Sequence, residues 1–293
     1  MKSGFVSLVG RPNVGKSSIL NRVTNAHIAI TSNVAGTTRN LIEGIYNEPE
    51  CQIVFVDTPG ISKPINKLGK VLNKQAFALT KDVDAILFVV DVDAGIGKGD
   101  EYLMETLKNS EIPVILVMNK IDKISREKLI KAIDKYKDYP FSEIVPVSAL
   151  KDDNIDRLIE VIKKYLTDEI KYYDENMVTS SSSQFMVSEV VREKLLNSTS
   201  EEIPHSITCH CVSIENKKDI VNISVDIIVD RNNIKGMIIG KHGDKLKSVG
   251  IKAREDLEEM FNKKVYLELY VKTIENWKEK EKYLKELGFF DYE

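Results

Sequence analysis

The sequence predicts an α/β domain with a mostly parallel sheet, followed by a smaller α+β domain. Up to about Leu166, short apolar runs alternate with amphipathic segments; the runs are FVSLVG, IVFVD, AILFVVD, VILVMNK and IVPVSA. Strands that are apolar along their whole length are typical of parallel sheets covered by helices on both faces. After Gln184 the predicted order changes to helix, strand, strand, two helices separated by glycines, strand, and a final charged helix.

The predicted domains are residues 1–168 and 185–293, joined by a linker at residues 169–184. From Thr167 to Gln184 the sequence is polar, shows no clean period and contains the serine run Ser180–Ser183, which favours a linker. In the second domain, the patterns predict helices at 188–196, 235–260 and about 277–287, and strands at 207–214, 220–229 and 265–271.

The composition is ordinary for a soluble globular protein, with 42% hydrophobic and 30% charged residues. No stretch approaches the roughly 20 apolar residues of a membrane-spanning helix, and the first motif begins so early that we expect no signal peptide. Cys51, Cys209 and Cys211 lack metal-ligand spacing and indicate reduced thiols in a cytoplasmic protein. The net charge of -3 argues against RNA binding over the whole surface, so RNA contact requires a local basic patch.

The first motif is a phosphate-binding loop. Residues 10–17 read G-R-P-N-V-G-K-S between a predicted strand and a predicted helix, as the pattern G-x-x-x-x-G-K-[S/T] requires. The glycines let backbone N–H groups point at phosphate oxygens, and the helix adds its positive N-terminal end. We expect Lys16 to reach the β- and γ-phosphates and the Ser17 hydroxyl to bind Mg²⁺. The predicted nucleotide-binding residues of this loop are Gly10, Arg11, Pro12, Asn13, Val14, Gly15, Lys16 and Ser17.

Three further motifs end successive strands, where open α/β sheets bind ligands: D-T-P-G at 57–60, N-K-I-D at 119–122 and S-A at 148–149. The Asp122 carboxylate can accept hydrogen bonds from guanine N1–H and the 2-amino group. Adenine lacks both donors and would leave this carboxylate unpaired, a penalty of at least several-fold. The motifs therefore predict guanine specificity. Their predicted nucleotide-binding residues are Asp57, Thr58, Pro59, Gly60, Asn119, Lys120, Ile121, Asp122, Ser148 and Ala149.

Each of these motifs has a predicted role. Asp57 can hold Mg²⁺ through water, and the Gly60 N–H can sense the γ-phosphate. Asn119 and Lys120 are expected to brace the loop and cover the base, while residues 148–149 can offer a backbone N–H to guanine O6.

The segment G-T-T-R at 36–39 is a predicted switch. A hydroxyl here can coordinate Mg²⁺ only while the γ-phosphate is present, which would order the loop and release it on hydrolysis. We favour Thr38, although the adjacent Thr37 is an open alternative, and so is a purely polar surface loop. The predicted metal ligands are then Ser17, Thr38 and Asp57, and the predicted catalytic residues are Lys16, Thr38 and Gly60.

Hydrolysis is predicted to be slow without help. Ras-like enzymes orient the attacking water with a Gln after D-x-x-G, and this chain has Ile61 there, which can neither donate nor accept a hydrogen bond. Asn13 offers a side-chain oxygen near the phosphates, and we hypothesise that it helps to bind K⁺. The alternative is that Asn13 only stabilises the loop.

A second glycine motif, G-K-H-G at 240–243, lies between two apolar helical segments. Glycines at this spacing allow a turn whose backbone meets a nucleic-acid backbone, as in KH domains, which clamp four nucleotides this way. Residues 231–254 hold seven Lys or Arg against the single acid Asp244. This basic island suits single-stranded RNA, and a solvated helix face is the alternative. The predicted RNA-binding residues are Lys235, Gly240, Lys241, His242, Gly243, Lys245 and Lys247.

Together these motifs resemble Era-type bacterial GTPases over essentially the whole chain. The resemblance is carried by GRPNVGKSS, GTTRN, DTPG, NKID and VSA, then by SQFMVSEVVREKLL, EEIPHS and MIIGKHGDKLKSVGIKAREDLEEMF. It implies a P-loop GTPase with a C-terminal type II KH domain, using GTP, GDP and Mg²⁺. It also implies binding of the 3′ end of small-subunit ribosomal RNA, a role in small-subunit assembly, and peripheral association with the inner face of the cell membrane. We expect a cytoplasmic monomer.

Two other functions stay open from the sequence. The first is a GTPase that acts on tRNA or the large subunit, with the KH domain as a general RNA grip. The second is an RNA-binding module that nucleotide only stabilises, which Ile61 favours slightly and Lys16, Ser17 and Asp57 oppose. As a hypothesis for the cycle, GTP and Mg²⁺ order residues 34–40 and the segment after Gly60, and the linker passes this change to the KH domain.

Overall fold

The computed structural model describes residues 1–32, 34, 36–78, 80–199 and 203–289. The chain divides into two compact units, one formed by Met1–Ile65 and Gly69–Ser180 and another formed by Asn66–Leu68 and the residues from Ser181 onward. Ala35 of the segment 34–40 that GTP is predicted to order, and Glu201 and Glu202 of E-E-I-P-H-S, lie outside the described residues. Within the described ranges, no helix combines the length and the apolar character needed to cross a membrane.

The first unit is built on a six-stranded sheet with the strand order β2-β3-β1-β4-β5-β6. All neighbouring strands are parallel except β2, which is antiparallel to β3 at one edge. The strands are β1 Lys2–Val9, β2 Ile42–Glu48, β3 Cys51–Asp57, β4 Ala85–Asp91, β5 Val114–Asn119 and β6 Glu143–Pro146. The five predicted strands are all present, and β2 is an additional strand that the apolar pattern did not reveal.

Five helices accompany this sheet in the described residues: α1 Lys16–Thr24, α2 Lys67–Ala78, α3 Lys98–Leu107, α4 Arg126–Tyr136 and α5 Ile155–Ile162. Helix α3 buries Leu103 and Met104 in one apolar cluster with Phe88 of β4 and Leu116 of β5. Complete burial of such side chains contributes about 1.5–3 kcal/mol each. Because β1, β3, β4, β5 and β6 run parallel, their carboxyl ends meet at one edge, and this packing fixes the loops that follow them.

The second unit has the element order that the sequence predicts: α6 Ser183–Ser198, β7 Ile207–Asn216, β8 Ile220–Val229, α7 Asn232–Ile239, α8 Asp244–Phe261 and β9 Lys264–Thr273. The sheet order is β7-β8-β9, with β7 antiparallel and β9 parallel to β8. Val191 of α6 and Leu257 of α8 share one core with Val225 of β8. Helix α6 begins five residues before the predicted position because the Ser182 hydroxyl caps it, accepting the Phe185 N–H at 3.2 Å.

The predicted final helix is divided in two by Lys280, whose backbone is extended. A 3₁₀ turn, Trp277–Glu279, precedes α9 Glu281–Glu286. Trp277 is completely buried and donates its indole N–H to Ser206 O at 3.3 Å. The turn therefore anchors this terminal segment to the second unit.

Much of the predicted linker is bound along the edge strand of the first unit. The Ile45 N–H donates to Val178 O at 2.9 Å, and the Ser180 hydroxyl donates to Glu43 Oε2 at 2.5 Å. Gln52 Oε1 accepts the N–H groups of residues 172 and 173. These bonds hold residues 172–180 against β2 and β3.

Candidate functional site

The phosphate loop connects β1 to α1 in a conformation that needs its glycines. Gly15 has φ of 99° and starts α1, where a Cβ atom would collide with the Asn119 side chain. The Lys16 ammonium is buried and donates to the carbonyls of Gly10 and Arg11, each at 3.2 Å. Burial lowers the pKa of Lys16, while the nearby Asp57 opposes this shift. The loop thus presents a prearranged cation at the carboxyl end of β1.

Ser17, Thr38 and Asp57 converge on one point, although they are distant in sequence. The Ser17 hydroxyl donates to Asp57 Oδ2 at 2.6 Å and lies 2.9 Å from Thr38 Oγ1, which is 3.4 Å from the same carboxylate oxygen. Burial raises the pKa of Asp57, against the opposing effects of Lys16 and the two hydroxyls. Asp57 Oδ1 is buried and has no hydrogen-bond partner among the described residues. A carboxylate with one unsatisfied oxygen and two hydroxyls are hard donors that fit Mg²⁺.

The structure distinguishes the two candidate threonines of the switch. The Thr37 hydroxyl donates to Val34 O at 2.6 Å, whereas the Thr38 hydroxyl faces Asp57. Of the two, Thr38 is therefore the one that can share a metal with Ser17.

The D-T-P-G turn lies directly against the phosphate loop. A Cβ atom on Gly60 would lie 2.7 Å from Pro12 N, so only glycine permits this approach. The next N–H, from Ile61, donates to Gly10 O at 3.2 Å, and the Ile61 side chain is buried in the apolar cluster of α3. Ile61 is therefore a core residue. The Thr58 hydroxyl donates to a carbonyl of β1, which ties the turn to the sheet.

Asn119 and Ser148 support the predicted guanine pocket. Asn119 donates to Val14 O at 2.9 Å and accepts the Ala149 N–H at 3.2 Å, so its buried amide links the phosphate loop to the loop after β6. The Ser148 hydroxyl donates to Asp122 Oδ1 at 2.5 Å, while Asp122 itself is exposed and open to a ligand. The pocket has its acceptor held in place before a base arrives.

The backbone donors of this loop are used within the protein. The Ser148 N–H donates to Asp153 O at 3.0 Å, so Ser148 supports Asp122 through its hydroxyl. The Ala149 N–H likewise donates to Asn119 Oδ1 at 3.2 Å, so the predicted contact with guanine O6 would have to share or replace one of these two bonds. Arg22 of α1 also donates to Ala149 O at 3.2 Å, a support that has no motif signal in the sequence.

Lys120 connects the phosphate loop to the end of β4. Its ammonium donates to Asn13 O at 2.7 Å and pairs with Asp91 Oδ2 at 2.6 Å. Although burial acts in the opposite direction, the bond to Lys120 holds the pKa of Asp91 below its usual value. Asp91 ends a buried strand and belongs to no motif. Its role, which is to hold Lys120 against the phosphate loop, is visible only in the folded chain. Ile121, next to Lys120, begins a short 3₁₀ turn that carries Asp122.

The G-x-x-G turn of the second unit has a left-handed backbone and lies among lysines, of which Lys241 and Lys247 are exposed. Gly240 and Gly243 have φ values of 75° and 82°, and His242 between them has φ of 53°. A Cβ atom on Gly240 would lie 2.7 Å from Lys245 Cβ, so this glycine is also required for space. Within the described part of the chain, four lysines around the turn make no ion pair or side-chain hydrogen bond: Lys235, Lys241, Lys245 and Lys247.

Comparison with known proteins explains why these two sites occur in one chain. A family model described as 50S ribosome-binding GTPase matches residues 5–120, and a KH domain model matches residues 202–278. GTPase Era of Staphylococcus epidermidis is 47% identical over 292 residues, which cover 99% of this chain and 98% of that protein. The chain belongs to the Era family of GTPases.

Solved structures of Era proteins match the whole chain. An Aquifex aeolicus Era variant bound to GDP.AlF4- has a TM-score of 0.95 and 40% identity, with 99% of each chain covered. An Era in complex with MgGDPNP and nucleotides 1506–1542 of 16S ribosomal RNA has a TM-score of 0.96, the same identity and the same coverage. The predicted family, the fold class and the assignment as a GTPase are confirmed.

Proposed function

We propose that this protein is a GTP-hydrolysing switch that binds the 3′ end of small-subunit ribosomal RNA through its KH domain and assists small-subunit assembly. The observation that carries the proposal is the whole-chain match to the Era bound to MgGDPNP and 16S ribosomal RNA. Because that match covers 99% of this chain, it includes both the phosphate loop and the G-x-x-G turn.

The nucleotide site supports hydrolysis through a small set of residues. A water attacks the γ-phosphorus, the bond to the oxygen bridging the β- and γ-phosphates breaks, and GDP and phosphate leave. Lys16 neutralises charge that develops on the phosphate oxygens, and the Gly60 N–H donates to the γ-phosphate. Ser17, Thr38 and Asp57 would hold Mg²⁺, which supplies further positive charge when bound. Since Thr38 belongs to the switch, its hydroxyl responds to the γ-phosphate.

The attacking water needs another support, because Ile61 is buried in the core. We propose that Asn13 helps to bind K⁺, which would supply positive charge that an arginine finger supplies elsewhere. Asn13 has φ of 65° in the phosphate loop and lies on the exposed side of it.

RNA binding would use the G-x-x-G turn as a backbone clamp. Because the two glycines carry no side chain, an RNA backbone can approach the turn, while Lys235, Lys241, Lys245 and Lys247 supply the charge that attracts phosphates. His242 is exposed at the top of the turn and is available to stack on a base. Location in the cytoplasm, peripheral attachment to the membrane and a monomeric state stay predictions from the family resemblance.

The test is the affinity of a fluorescent single-stranded RNA with the sequence of the small-subunit 3′ end, measured with GDP and with a non-hydrolysable GTP analogue. We expect tighter binding with the analogue, and loss of binding in Gly240→Asp. Lys217→Ala is the matched control, since Lys217 is exposed in the same unit and pairs with Glu215 at 3.7 Å. Equal RNA affinity with both nucleotides would contradict control of RNA binding by the nucleotide, but it would not contradict the RNA site itself.

The same measurement addresses a large-subunit or tRNA target. The description of the matching family model names the 50S ribosome, which favours the large subunit as the second candidate. Competition with tRNA and with large-subunit RNA fragments separates these targets, because the main proposal requires the 16S fragment to compete best. Phosphate release, measured with and without RNA, then tests the other alternative, an RNA-binding module that nucleotide only stabilises and that does not hydrolyse GTP.

A further inference from the structure

Arg11 occupies the second position of the phosphate loop, but its guanidinium pairs with Asp100 of α3. Arg11 Nη2 lies 2.6 Å from Asp100 Oδ2 and donates to Gly95 O at 3.1 Å. The Asp100 side chain is completely buried, and 27% of the Arg11 side chain is exposed. Arg11 Nε and Asp100 Oδ1 are buried without a hydrogen-bond partner among the described residues. A buried ion pair with unsatisfied atoms adds little stability, so a role in fixing geometry is the better explanation.

The surroundings of this pair leave space for the arginine. A Cβ atom on Gly97 would lie 2.8 Å from Arg11 Nη1, and one on Gly99 would lie 2.7 Å from Arg11 Cδ. Gly99 lies in the first turn of α3, where glycine is a weaker helix former than alanine, so its presence is explained by the close approach of Arg11. Asp100 Oδ2 also accepts the Gly97 N–H at 2.9 Å, which fixes the carboxylate at the start of the helix.

The same stretch of chain holds the phosphate loop at a second point. Asp91, at the end of β4, pairs with Lys120, and Lys120 donates to Asn13 O. Residues 91–100 are therefore connected to the loop through Arg11 on one side and through Asn13 on the other. The Arg11 carbonyl accepts one of the two hydrogen bonds of Lys16, so a shift of Arg11 passes directly to the cation that meets the phosphates.

We propose that Arg11 and Asp100 form an internal clamp that positions the phosphate loop, with Arg11 acting as a positioning residue and not as a phosphate ligand. This inference rests on the nucleotide site proposed above. Since GDP and GTP use the same loop, release of the clamp weakens both nucleotides by a similar factor. Hydrolysis of GTP once bound is less affected, because Lys16 keeps its hydrogen bond to Gly10 O and Thr38 keeps its contact with Asp57.

The experiment is a double-mutant cycle on nucleotide affinity in the full chain. Dissociation constants of fluorescent GDP and of a fluorescent non-hydrolysable GTP analogue are measured for Arg11→Ala, Asp100→Ala and the double variant. Each single change is expected to weaken both nucleotides by about 10-fold to 100-fold, since misplacement of a loop by about 1 Å has effects of this size. The double variant is expected to be no weaker than the worse single variant, because either change opens the clamp.

Arg157→Ala is the matched control, since Arg157 makes an exposed ion pair with Glu160 at 3.2 Å in the same unit. A direct phosphate contact predicts a different pattern: Arg11→Ala weakens GTP more than GDP, and Asp100→Ala binds like the wild type. That pattern overturns the clamp. Arg11→Lys and Asp100→Asn keep the size of the pair and replace the alanine variants if these do not fold; both are expected to raise KM while kcat stays within about twofold.

Lys16→Ala separates failure of the clamp from failure of the nucleotide site. If Arg11→Ala and Asp100→Ala bind both nucleotides with normal affinity while Lys16→Ala does not bind them, the clamp is overturned and the nucleotide site is not. Normal affinity in Lys16→Ala overturns the proposed nucleotide site itself.

Discussion

The phosphate loop and the G-x-x-G turn are both built from glycines and lysines, yet they use lysine differently. Lys16 is buried and bonded to two carbonyls, and Lys120 is bonded to Asn13 and Asp91. Lys241 and Lys247 of the second unit are exposed and make no ion pair with any residue that the structure describes. The first site holds its charges in place before the ligand arrives, whereas the second leaves them free to follow a flexible polymer.

This difference determines how each site should respond to substitution. A prearranged site loses most of its function when one part is removed, because the remaining groups were positioned for a single ligand geometry. A site based on several unpaired surface cations loses affinity in small, similar steps, since each phosphate contact contributes a screened electrostatic term.

The largest effect is expected for Lys16→Ala. Removing the buried ammonium takes away the cation that we propose to contact the β- and γ-phosphates, and we expect the rate of phosphate release to fall by about 10²–10³-fold. Lys128→Ala, at an exposed position of α4, is the control and should match the wild type. A loss below about tenfold would show that the site is not prearranged in the way described.

The next largest effect is expected at Gly60, where the backbone of the D-T-P-G turn packs against the phosphate loop. In Gly60→Ala the new Cβ atom would meet the Pro12 backbone, so the D-T-P-G turn must move away from the phosphate loop, and we expect hydrolysis to fall by about 10²-fold. Gly236→Ala is the control: its Cβ atom would meet nothing within 4 Å in a helix. For Gly236→Ala we expect the free energy of unfolding, measured by denaturant titration, to rise by about 0.5–1 kcal/mol. Equal activity of the two variants would contradict the close approach at Gly60.

The motif loops could be predicted from sequence because local chemistry determines them. A glycine-rich turn after an apolar strand, and polar residues that end further strands, place a nucleotide site at one edge of the sheet whatever the details of packing. Strand β2 escaped prediction because Glu43 and Asn47 interrupt its apolar residues, as suits an edge strand that also pairs with residues 172–180. Its identity depends on neighbours that are remote in sequence.

The supports of the site could not be predicted for the same reason. Asp91, Asp100 and Arg22 belong to no motif, and each acts through a partner that only the folded chain brings near. Arg11 shows this most clearly: its position in the loop suggested a nucleotide contact, whereas its partner lies at the start of α3. Between Thr37 and Thr38, the hydrogen-bond geometry favours Thr38, which sequence alone could not decide.

A smaller, graded effect is expected at the RNA site. Lys241→Ala removes one unpaired cation, so we expect RNA affinity to fall only a few-fold and the slope of log K against log salt to decrease by about 0.7. The measurement is fluorescence anisotropy at several KCl concentrations, with Lys217→Ala as the control. An unchanged slope with a large loss of affinity would mean that Lys241 makes a fixed contact, as Lys16 does, and the contrast between the two sites would disappear.

The smallest effect is expected at Asn13, where a substitution tests whether the phosphate loop also binds an exchangeable cation. Asn13→Gly removes the side chain without strain, because glycine accepts the φ of 65° at this position. If Asn13 helps to bind K⁺, phosphate release by the wild type should be several-fold faster in KCl than in NaCl, and the variant should lose this difference while keeping its rate in NaCl. If Asn13 only stabilises the loop, the variant should slow by the same factor in both salts. If the variant loses the difference between KCl and NaCl, the nucleotide site uses one exchangeable cation, K⁺, in addition to its fixed charges. If the variant slows equally in both salts, the positive charges of the site come from the protein and from Mg²⁺ alone.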